Sequence, residues 1–511
     1  MRYLPDSEQM RSADMHTINE VGIPSLVLME RAALGTVEAM HRRGIDTSRA
    51  LVVCGSGNNG GDGFAIARLL EDEKDRADVL FAGREESMSA ECALQKKIAA
   101  RAGVKIFTEI PDREYTVIID AVFGVGLSRD ISGRYCDVIR WMNEQKCAKV
   151  AVDIPSGVCA RTGRILGTAF RADLTAAMAC VKAGSELYPG KNYSGETVAV
   201  PIGIRTEYFD NNEDVCFTYD REDIASLLPQ RKPDSHKGTY GKVLMITGSS
   251  GMAGAAYLSA RAAYAVGAGL VRICTASDNR PVLQQLLPEA VLSCYDGFDE
   301  EQMRELLAWA DVVCIGSGLG QSSVSEQIFN YVTDHVTVPC VIDADGLNLL
   351  SRDTGRLGKM PGPVIVTPHM KEMSRLTGKS IPGITEDRVA SAREFAREYG
   401  AVCVLKDSRT VVSEEGRHPF LNLAGNSAMA KAGSGDVLAG VITGLLAQGK
   451  DAFQSAAAGV YLHACGGDEA RRAKGGYSVL AGDLIEGLER CIAECENGEA
   501  IPGQTKGEER K

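Results

Sequence analysis

Short apolar segments alternate with helical patterns along almost the whole chain, and this alternation constrains the fold more than any other feature. Residues 50–54, 116–121 and 149–154 are such segments in the first half, and residues 242–247 and 338–343 are examples in the second. Strands that alternate with helices form a parallel sheet covered by helices on both faces. The carboxyl ends of those strands meet at one edge, where ligand-binding loops lie. We therefore predict an α/β fold with functional residues in the strand-end loops.

The length of 511 residues is more than one ordinary core accommodates, so we expect at least two domains. The polar, acidic stretch at residues 205–223 lacks periodicity, which places a boundary near residues 212–225. The predicted domains are residues 1–215 and 225–500, each a three-layer α/β/α structure, followed by a disordered tail at 501–511. The two halves show no internal repeat, which favours a fusion over a duplication.

Composition excludes several classes of function. A net charge of −12 argues against general binding to nucleic acid or anionic membranes. The 15 cysteines are scattered singly with no CxxC, as in a protein of a reducing compartment. The first residues contain no apolar signal segment, and no stretch is apolar enough to span a membrane. We expect a cytoplasmic protein.

Three polar loops follow apolar strands in the first half. GSGNNGGDG at 55–63 fits GxGxxG only through Gly60, and that pattern alone is weak. Its asparagine and aspartate side chains offer oxygen atoms that suit a hydroxyl-rich ligand or a cation. Asp120 and Asp153 each end a strand, so their carboxylates are expected at the same crevice, although each alone could be a strand-end cap.

Four motifs, GNNGGDG, DAVFGVGLSRD, VDIPSG and VKAG, resemble those of the NAD(P)H-hydrate epimerase domain across residues 7–210. The resemblance implies a Rossmann-like fold, interconversion of the R and S epimers of hydrated NAD(P)H, and a potassium ion. It implies that Asp153 is the general acid or base and that Asn59, Asp120 and Ser156 bind potassium. Lys182, in the last motif, faces either the pocket or solvent. The substrate-binding residues implied by the resemblance are Asn58, Asn59, Gly60, Gly61, Asp62, Gly124, Val125, Gly126, Leu127, Ser128, Arg129, Asp130 and Asp153.

A glycine-rich turn at residues 433–436, GSGD, runs straight into an apolar helical pattern. Glycines allow backbone N–H groups to surround an anion, and the helix that follows adds its positive dipole end. A carboxylate at Asp436 then suits a general base beside a phosphoryl group. Aspartate is also a common helix N-cap, so this stretch alone leaves both interpretations open.

The order GSxxxxGA, GxGLG, DADGLN, TPHxxE, LK and AxxGSGDVLAG resembles the ribokinase-like ADP/ATP-dependent NAD(P)H-hydrate dehydratases over residues 225–495. Their chemistry phosphorylates the C6 hydroxyl of the S hydrate and then eliminates phosphate. The resemblance implies that Asp436 is the catalytic base and that Ala255, Gly318, His369 and Asp436 contact the hydrate. The nucleotide contacts implied are Lys406, Asp407, Ser408, Arg409, Thr410 and Gly435, with a magnesium ion. Asp407 departs from the glycine expected after the lysine, and an acid there would repel phosphate unless it faces away or reaches magnesium.

Together the two halves predict a bifunctional nicotinamide nucleotide repair enzyme, an isomerase joined to a hydro-lyase that consumes ADP. One rival is a small-alcohol or vitamin kinase with a stable phosphorylated product. Another treats the first domain as a non-catalytic nucleotide-binding module. The expected partners are hydrated NADH or NADPH, ADP, and other copies of the chain in a homo-oligomer, with no nucleic acid and no membrane.

Overall fold

A computed structural model describes residues 1–73 and 76–497, and it divides into two compact units. Residues 2–217 form the N-terminal unit, whereas Met1 and the residues from Thr218 onward form the C-terminal unit. The tail predicted at residues 501–511 lies outside the described residues. The 15 cysteines are all free thiols.

The N-terminal unit alternates strands with helices, as predicted. Its strands are β1 (Arg2–Leu4), β2 (Arg49–Cys54), β3 (Arg76–Phe81), β4 (Lys105–Phe107), β5 (Val117–Ala121), β6 (Ala148–Val152), β7 (Leu174–Met178) and β8 (Glu196–Val200), and β9 (Cys216–Thr218) spans the boundary between the units. Its helices are α1 (Ser7–Asn19), α2 (Ser25–Arg42), α3 (Asn58–Asp72), α4 (Ala90–Arg101), α5 (Arg134–Glu144), α6 (Ala183–Glu186) and α7 (Lys191–Ser194).

Within the described residues, seven strands form a sheet in the order β4-β3-β2-β5-β6-β7-β8, and the pairs are all parallel. Alternate side chains of β2 enter two separate cores, Val52 on one face and Val53 on the other. Both faces of the sheet are therefore covered, which gives the three layers expected of a doubly wound fold. Connections run in opposite directions from β2, so a ligand crevice is expected where β2 and β5 end.

The C-terminal unit has a second, larger alternation. Its strands are β10 (Lys242–Ile246), β11 (Leu270–Ala276), β12 (Val291–Tyr295), β13 (Val312–Ile315), β14 (Cys340–Ile342), β15 (Val364–Val366), β16 (Val402–Leu405), β17 (Val411–Ser413) and β18 (Phe420–Leu421). Its helices are α8 (Ile224–Leu227), α9 (Ala253–Ala265), α10 (Arg280–Leu286), α11 (Glu300–Trp309), α12 (Ser323–His335), α13 (Asp345–Leu350), α14 (Met370–Thr377), α15 (Ile381–Glu386), α16 (Arg388–Tyr399), α17 (Ser434–Ala447), α18 (Ala452–Lys474) and α19 (Ala481–Asn497).

The strands of this unit follow the order β18-β17-β16-β15-β14-β13-β10-β11-β12, parallel from β16 to β12 and antiparallel from β16 to β18. Helix α17 lies in the interior between α9 and α18, and its residues from Val437 to Leu446 are all buried. A helix that is apolar on all sides is stable only when it is surrounded. Its N-terminus is thereby fixed at the sheet edge where β13, β14, β15 and β16 end.

For the strands that the sequence predicted, the predicted ends agree with those in the structure to within about two residues. The patterns missed β1, β4, β7, β9, β12, β17 and β18, which are short or lack clear alternation. Within the described residues, no helix combines the length and apolarity needed to cross a bilayer.

Candidate functional site

The glycine-rich segment after β2 is the first turn of a helix, where the sequence predicted a loop. Helix α3 begins at Asn58, so the segment predicted to bind substrate lies at a helix N-terminus. A Cβ on Gly60 would lie 2.1 Å from the Gly55 carbonyl oxygen, and one on Gly63 would lie 2.5 Å from the Ala121 Cβ. The glycines are therefore required because the helix starts directly against the strand ends.

A buried carboxylate forms the floor of this crevice. Asp120 is fully buried in β5 and accepts hydrogen bonds from the Ser156 N–H, the Ser156 hydroxyl and the Val122 N–H. Burial raises the pKa of Asp120 to about 6, although these three hydrogen bonds lower it. None of the three donors carries a charge. The carboxylate thus has only neutral donors beside it among the described residues.

Asp153 and Lys182 form a buried ion pair at the end of β6. The Lys182 ammonium, only 1% exposed, donates to Asp153 Oδ1 and, at 2.8 Å, to the Met178 carbonyl oxygen. Asp153 has a φ of 71°, a left-handed conformation that is unusual for a residue with a side chain. Lys182, whose position the sequence left open, is therefore a buried partner of Asp153 and not an exposed loop lysine.

The second carboxylate oxygen of Asp153 is directed toward the predicted substrate loop. The Val125 N–H donates to Asp153 Oδ2 at 3.3 Å. A Cβ on Gly124 would lie 3.2 Å from that oxygen and 3.3 Å from the Asn59 side chain. Three strand ends, those of β2, β5 and β6, therefore bring Asn59, Gly124 and Asp153 together.

Two further carboxylates lie near this ion pair. Burial and the charge of Asp153 raise the pKa of Asp14 to about 6 and hold the pKa of Asp62 well above its usual value. Sequence reasoning missed Asp14, which follows the buried Ala13 on α1. The signal in the sequence that could have identified Asp14 was a charged residue beside the apolar face of that helix.

The remaining residues predicted to bind substrate differ in their exposure. Gly60 and Gly61 are buried, Val125 and Leu127 are half-buried, and the rest are exposed: Asn58, Gly126, Ser128, Arg129 and Asp130.

In the C-terminal unit, Asp343 is the centre of a hydrogen-bonded cluster at the carboxyl edge of the sheet. Its buried carboxylate accepts from Lys406 Nζ at 2.8 Å and from the Thr367 hydroxyl on one oxygen. The Ser317 hydroxyl donates to the other oxygen at 3.2 Å. The four residues lie one or two positions after the ends of β13, β14, β15 and β16. Sequence reasoning noted their motifs but named only Lys406 among them as a site residue.

Asp436 lies in the first turn of α17, beside this cluster. Its helix follows Gly433, whose φ of 90° is left-handed. Burial and the charge of Asp343 raise the pKa of Asp436 to about 6, while a hydrogen bond with Ser317 and the charge of Lys406 lower it. A Cβ on Gly435 would lie 3.6 Å from Lys406 Nζ. A carboxylate, an ammonium group and a helix N-terminus therefore share one small region.

Lys406 keeps its charge in this setting. Burial alone lowers the pKa of a lysine, but the carboxylates of Asp343, Glu372 and Asp436 raise the pKa of Lys406 above its usual value. An ammonium group fixed beside a helix N-terminus is well placed to attract phosphate.

His369 caps a helix at the edge of the same region. Its Nδ1 accepts from the Lys371 and Glu372 N–H groups at 3.0 and 3.2 Å at the start of α14. Burial and the nearby charge of Lys406 lower the pKa of His369, so its exposed imidazole ring is neutral at pH 7. His369 therefore caps α14 through Nδ1, and its Nε2 lies 3.4 Å from Glu372 Oε1 on a side chain that is 48% exposed.

Two of the small residues predicted to contact the hydrate adjoin each other. A Cβ on Gly318 would lie 2.7 Å from the Ala255 Cβ, and Gly318 has a φ of 60°. A larger residue at either position would close the space between the loops after β10 and β13.

The acidic residue that departs from the expected pattern pairs with an arginine of α16. Asp407 Oδ2 accepts from Arg388 Nε at 2.7 Å. The Arg409 guanidinium donates to the Leu423 carbonyl oxygen at 2.8 Å, and the buried Thr410 hydroxyl bonds the Asp407 carbonyl. Ser408 is exposed. Arg388 therefore offsets the charge of Asp407, which the sequence position suggested would repel phosphate.

The side chains of the N-terminal crevice offer oxygen ligands for a cation. Among the described residues, no group of three or more His, Cys, Asp and Glu side chains is arranged to hold a metal ion. In the N-terminal crevice, however, the Asn59 side-chain nitrogen is buried without a hydrogen-bond partner. Turning the amide over would place its oxygen at this position, because the two ends of a carboxamide have nearly the same shape. One carboxylate with amide and hydroxyl oxygens suits a weakly charged hard cation.

Comparisons with known proteins match both units. The family model described as NAD(P)H-hydrate dehydratase matches residues 243–490, and the model of the YjeF-related protein N-terminus matches residues 25–184. A bifunctional NAD(P)H-hydrate repair enzyme of Moorella thermoacetica is 36% identical over 95% of this chain and 96% of its own length. The Escherichia coli enzyme of the same name is 32% identical, covering 95% and 93%. A hypothetical protein of Streptococcus mutans, of known structure, superimposes with a TM-score of 0.50 and 31% identity over 54% of this chain and 99% of its own.

Proposed function

Because the chain belongs to the family of bifunctional NAD(P)H-hydrate repair enzymes, we propose that its two units act in sequence on one substrate. The N-terminal unit epimerises the R and S forms of hydrated NADH or NADPH. The C-terminal unit converts the S form to NAD(P)H and consumes ADP, which yields AMP and phosphate. The observation that carries the proposal is the position of Asp436, at a helix N-terminus beside the Lys406–Asp343 pair.

In the dehydratase unit, Asp436 takes the proton of the C6 hydroxyl as the oxygen attacks the terminal phosphoryl group of ADP. The N–H groups at the start of α17 and the Lys406 ammonium stabilise the negative charge on the phosphoryl oxygens. Asp343 holds Lys406 in place through their 2.8 Å contact. Phosphate then leaves from C6 and a proton leaves from C5, so that the C5–C6 double bond of the reduced nicotinamide ring is restored.

The rate of dehydration should depend on pH through Asp436. Its raised pKa of about 6 means that the carboxylate gains a proton as pH falls through that value. A protonated Asp436 cannot accept the hydroxyl proton, so kcat/KM should be constant above pH 7 and should fall about tenfold for each pH unit below 6. Initial rates on the S hydrate at saturating ADP, from pH 5 to 8, measure this profile. A rate that rises toward pH 5 would remove Asp436 from the role of base.

A magnesium ion would enter the dehydratase unit with the nucleotide. The described residues offer no cage of protein ligands, and Mg²⁺ in such sites is bound mainly by phosphates, water and one or two carboxylates. Bound there, it supplies positive charge that offsets the phosphates. Asp407 is not proposed as its ligand because that carboxylate pairs with Arg388.

In the epimerase unit, we propose Asp153 as the general acid or base. Its Oδ1 is held by Lys182, while its Oδ2 lies beside Gly124 and Asn59 on the side predicted to bind the hydrate. One oxygen is thus fixed, and the other is available to exchange a proton with the substrate. Asp62 and the loop after β5 would complete the pocket.

Potassium would bind next to this pocket through Asn59, Asp120 and Ser156. The buried Asp120 carboxylate has only neutral donors, so a nearby cation would offset its charge, and the Asn59 amide, once turned over, would supply an oxygen ligand. A bound potassium ion would offset the charge on this floor and orient oxygen atoms of the substrate.

Replacing potassium by tetramethylammonium should lower the rate of epimerisation by about tenfold or more, as loss of metal-site interactions commonly does. Dehydration of pure S hydrate by the same sample is the internal control and should be unchanged. The variant Ser156→Ala should lose the potassium response. An epimerisation rate that is the same with potassium and with tetramethylammonium would contradict the proposed site.

The experiment that separates repair from a kinase activity is analysis of the products. Protein incubated with S hydrate and ADP should release AMP, inorganic phosphate and NAD(P)H in equal amounts, as followed by phosphorus NMR. A phosphorylated compound that accumulates and persists would support the rival kinase. Family membership already favours repair over that rival. We also propose a cytoplasmic location and a homo-oligomeric state, the latter measured by light scattering.

A further inference from the structure

A buried histidine lies behind the proposed phosphoryl site, on a helix that the proposed mechanism does not use. His463, on α18, is 7% exposed, and its Nε2 lies 3.4 Å from the hydroxyl of Ser434, the first residue of α17. Ser434 stands between Gly433 and Gly435, the glycines proposed to surround the transferring phosphoryl group. Among residues 433–435, Ser434 is therefore the residue that carries a side-chain hydrogen-bond donor.

The direction of this hydrogen bond decides what the hydroxyl can do. A hydroxyl has one hydrogen to donate and two lone pairs. If Ser434 donated to His463, no hydrogen would remain for a phosphate. If His463 donates, the Ser434 hydroxyl accepts from the ring and keeps its own hydrogen for another acceptor.

The surroundings of His463 favour the second arrangement. Burial and the charge of Lys406 lower its pKa to about 4, so the ring is neutral and carries one hydrogen at pH 7. A hydrogen bond with the backbone of Ser434 raises the pKa, as a carbonyl acceptor does for a ring N–H. A ring hydrogen directed at Ser434 can be shared by its carbonyl and hydroxyl oxygens, which leaves the hydroxyl hydrogen for another acceptor.

The segment before Ser434 is also fixed to α18. Asp468 accepts from the Gly425 N–H at 3.0 Å and from Asn426 Nδ2 at 2.8 Å, and Asn426 Nδ2 also donates to the Gly467 carbonyl oxygen. Helix α18 thus holds the loop that leads to the start of α17. A donor held by such a scaffold needs no reorganisation when charge develops on the phosphoryl group.

We propose that the Ser434 hydroxyl donates to the transferring phosphoryl group and that His463 is a positioning residue that directs this hydroxyl. The inference rests on the proposed dehydratase function. It adds a side-chain donor to the backbone N–H groups at the start of α17, and it gives a role to a buried histidine that is otherwise only a core residue.

Four variants of the full chain test this proposal in the dehydration of S hydrate. Ser434→Ala should lower kcat by about 10²-fold, the usual effect of losing one preorganised donor. His463→Leu should lower kcat to a similar extent, whereas His463→Gln, which keeps an N–H donor, should retain much of the wild-type rate. The double variant Ser434→Ala/His463→Leu should be no slower than Ser434→Ala, because the histidine acts through the serine.

Two results would overturn the inference. One is Ser434→Ala with a wild-type kcat, and the other is a double variant whose losses multiply. Thermal unfolding of each variant detects a folding defect. If His463→Leu fails to fold, the kcat values of Ser434→Ala and His463→Gln still test the proposal. Failure of the proposed function itself would be distinct, because wild-type protein would then produce no NAD(P)H.

Discussion

Replacing Asp436 by asparagine should reduce the dehydration of S hydrate by about 10³-fold, within the range typical of a lost general base. The substitution keeps the size of the side chain and removes its charge together with its ability to accept a proton. Asp436 is half-buried beside Asp343, and burial raises its pKa to about 6, so removing its charge relieves repulsion between two carboxylates. The variant should therefore be folded and at least as stable as the wild type.

The measurement is recovery of absorbance at the reduced-nicotinamide band with saturating ADP. Asp353→Asn is the matched control, since that carboxylate is exposed on the surface, and its kcat should equal that of the wild type. Epimerisation of R hydrate by the Asp436→Asn protein should also continue. A dehydration rate within tenfold of wild type would show that another group takes the proton.

Replacing Asp153 by asparagine should abolish epimerisation and leave the dehydration of S hydrate unchanged. The expected loss is about 10²- to 10⁴-fold for a general acid or base. The change also leaves the buried Lys182 ammonium without its carboxylate, which can cost about 3–5 kcal/mol of stability. Lower activity of this variant could thus reflect local unfolding.

The double variant Asp153→Asn/Lys182→Met resolves that ambiguity because it removes both charges together. It should recover most of the lost stability in thermal unfolding, yet it should remain inactive on R hydrate. Asp112→Asn, at an exposed position, is the control for the substitution. Epimerisation by the double variant at the wild-type rate would exclude Asp153 from the chemistry and would leave the pair a purely structural role.

The sequence predicted the two α/β domains and most strands because apolar runs and glycine turns reflect local requirements. It could not show that residues 58–63 begin a helix, since only the tertiary contacts explain those glycines: a Cβ at Gly60 would meet the Gly55 backbone. It also left Lys182 open, because burial of a lysine depends on a partner distant in sequence. Asp343 and Ser317 were missed as a cluster for the same reason.

Asp407 illustrates the opposite case. The sequence suggested repulsion from a nucleotide phosphate, and the pairing with Arg388, 19 residues earlier in the chain, provides the explanation. The roles of residues 406–410 toward the nucleotide stay predictions, as do the other individual contacts with substrate. Local pattern identifies the loops that meet at a sheet edge, but long-range pairing decides which side chains face the ligand.

The central claim is that one chain repairs both epimers of hydrated NAD(P)H. Its most direct test is the purified protein incubated with an equal mixture of R and S hydrate, with ADP and ATP in parallel reactions. We predict that, with ADP, absorbance of the reduced nicotinamide recovers completely, whereas Asp153→Asn/Lys182→Met stops near the S fraction. Recovery by the wild type that stops at the S fraction, or no recovery with either nucleotide, would contradict the claim.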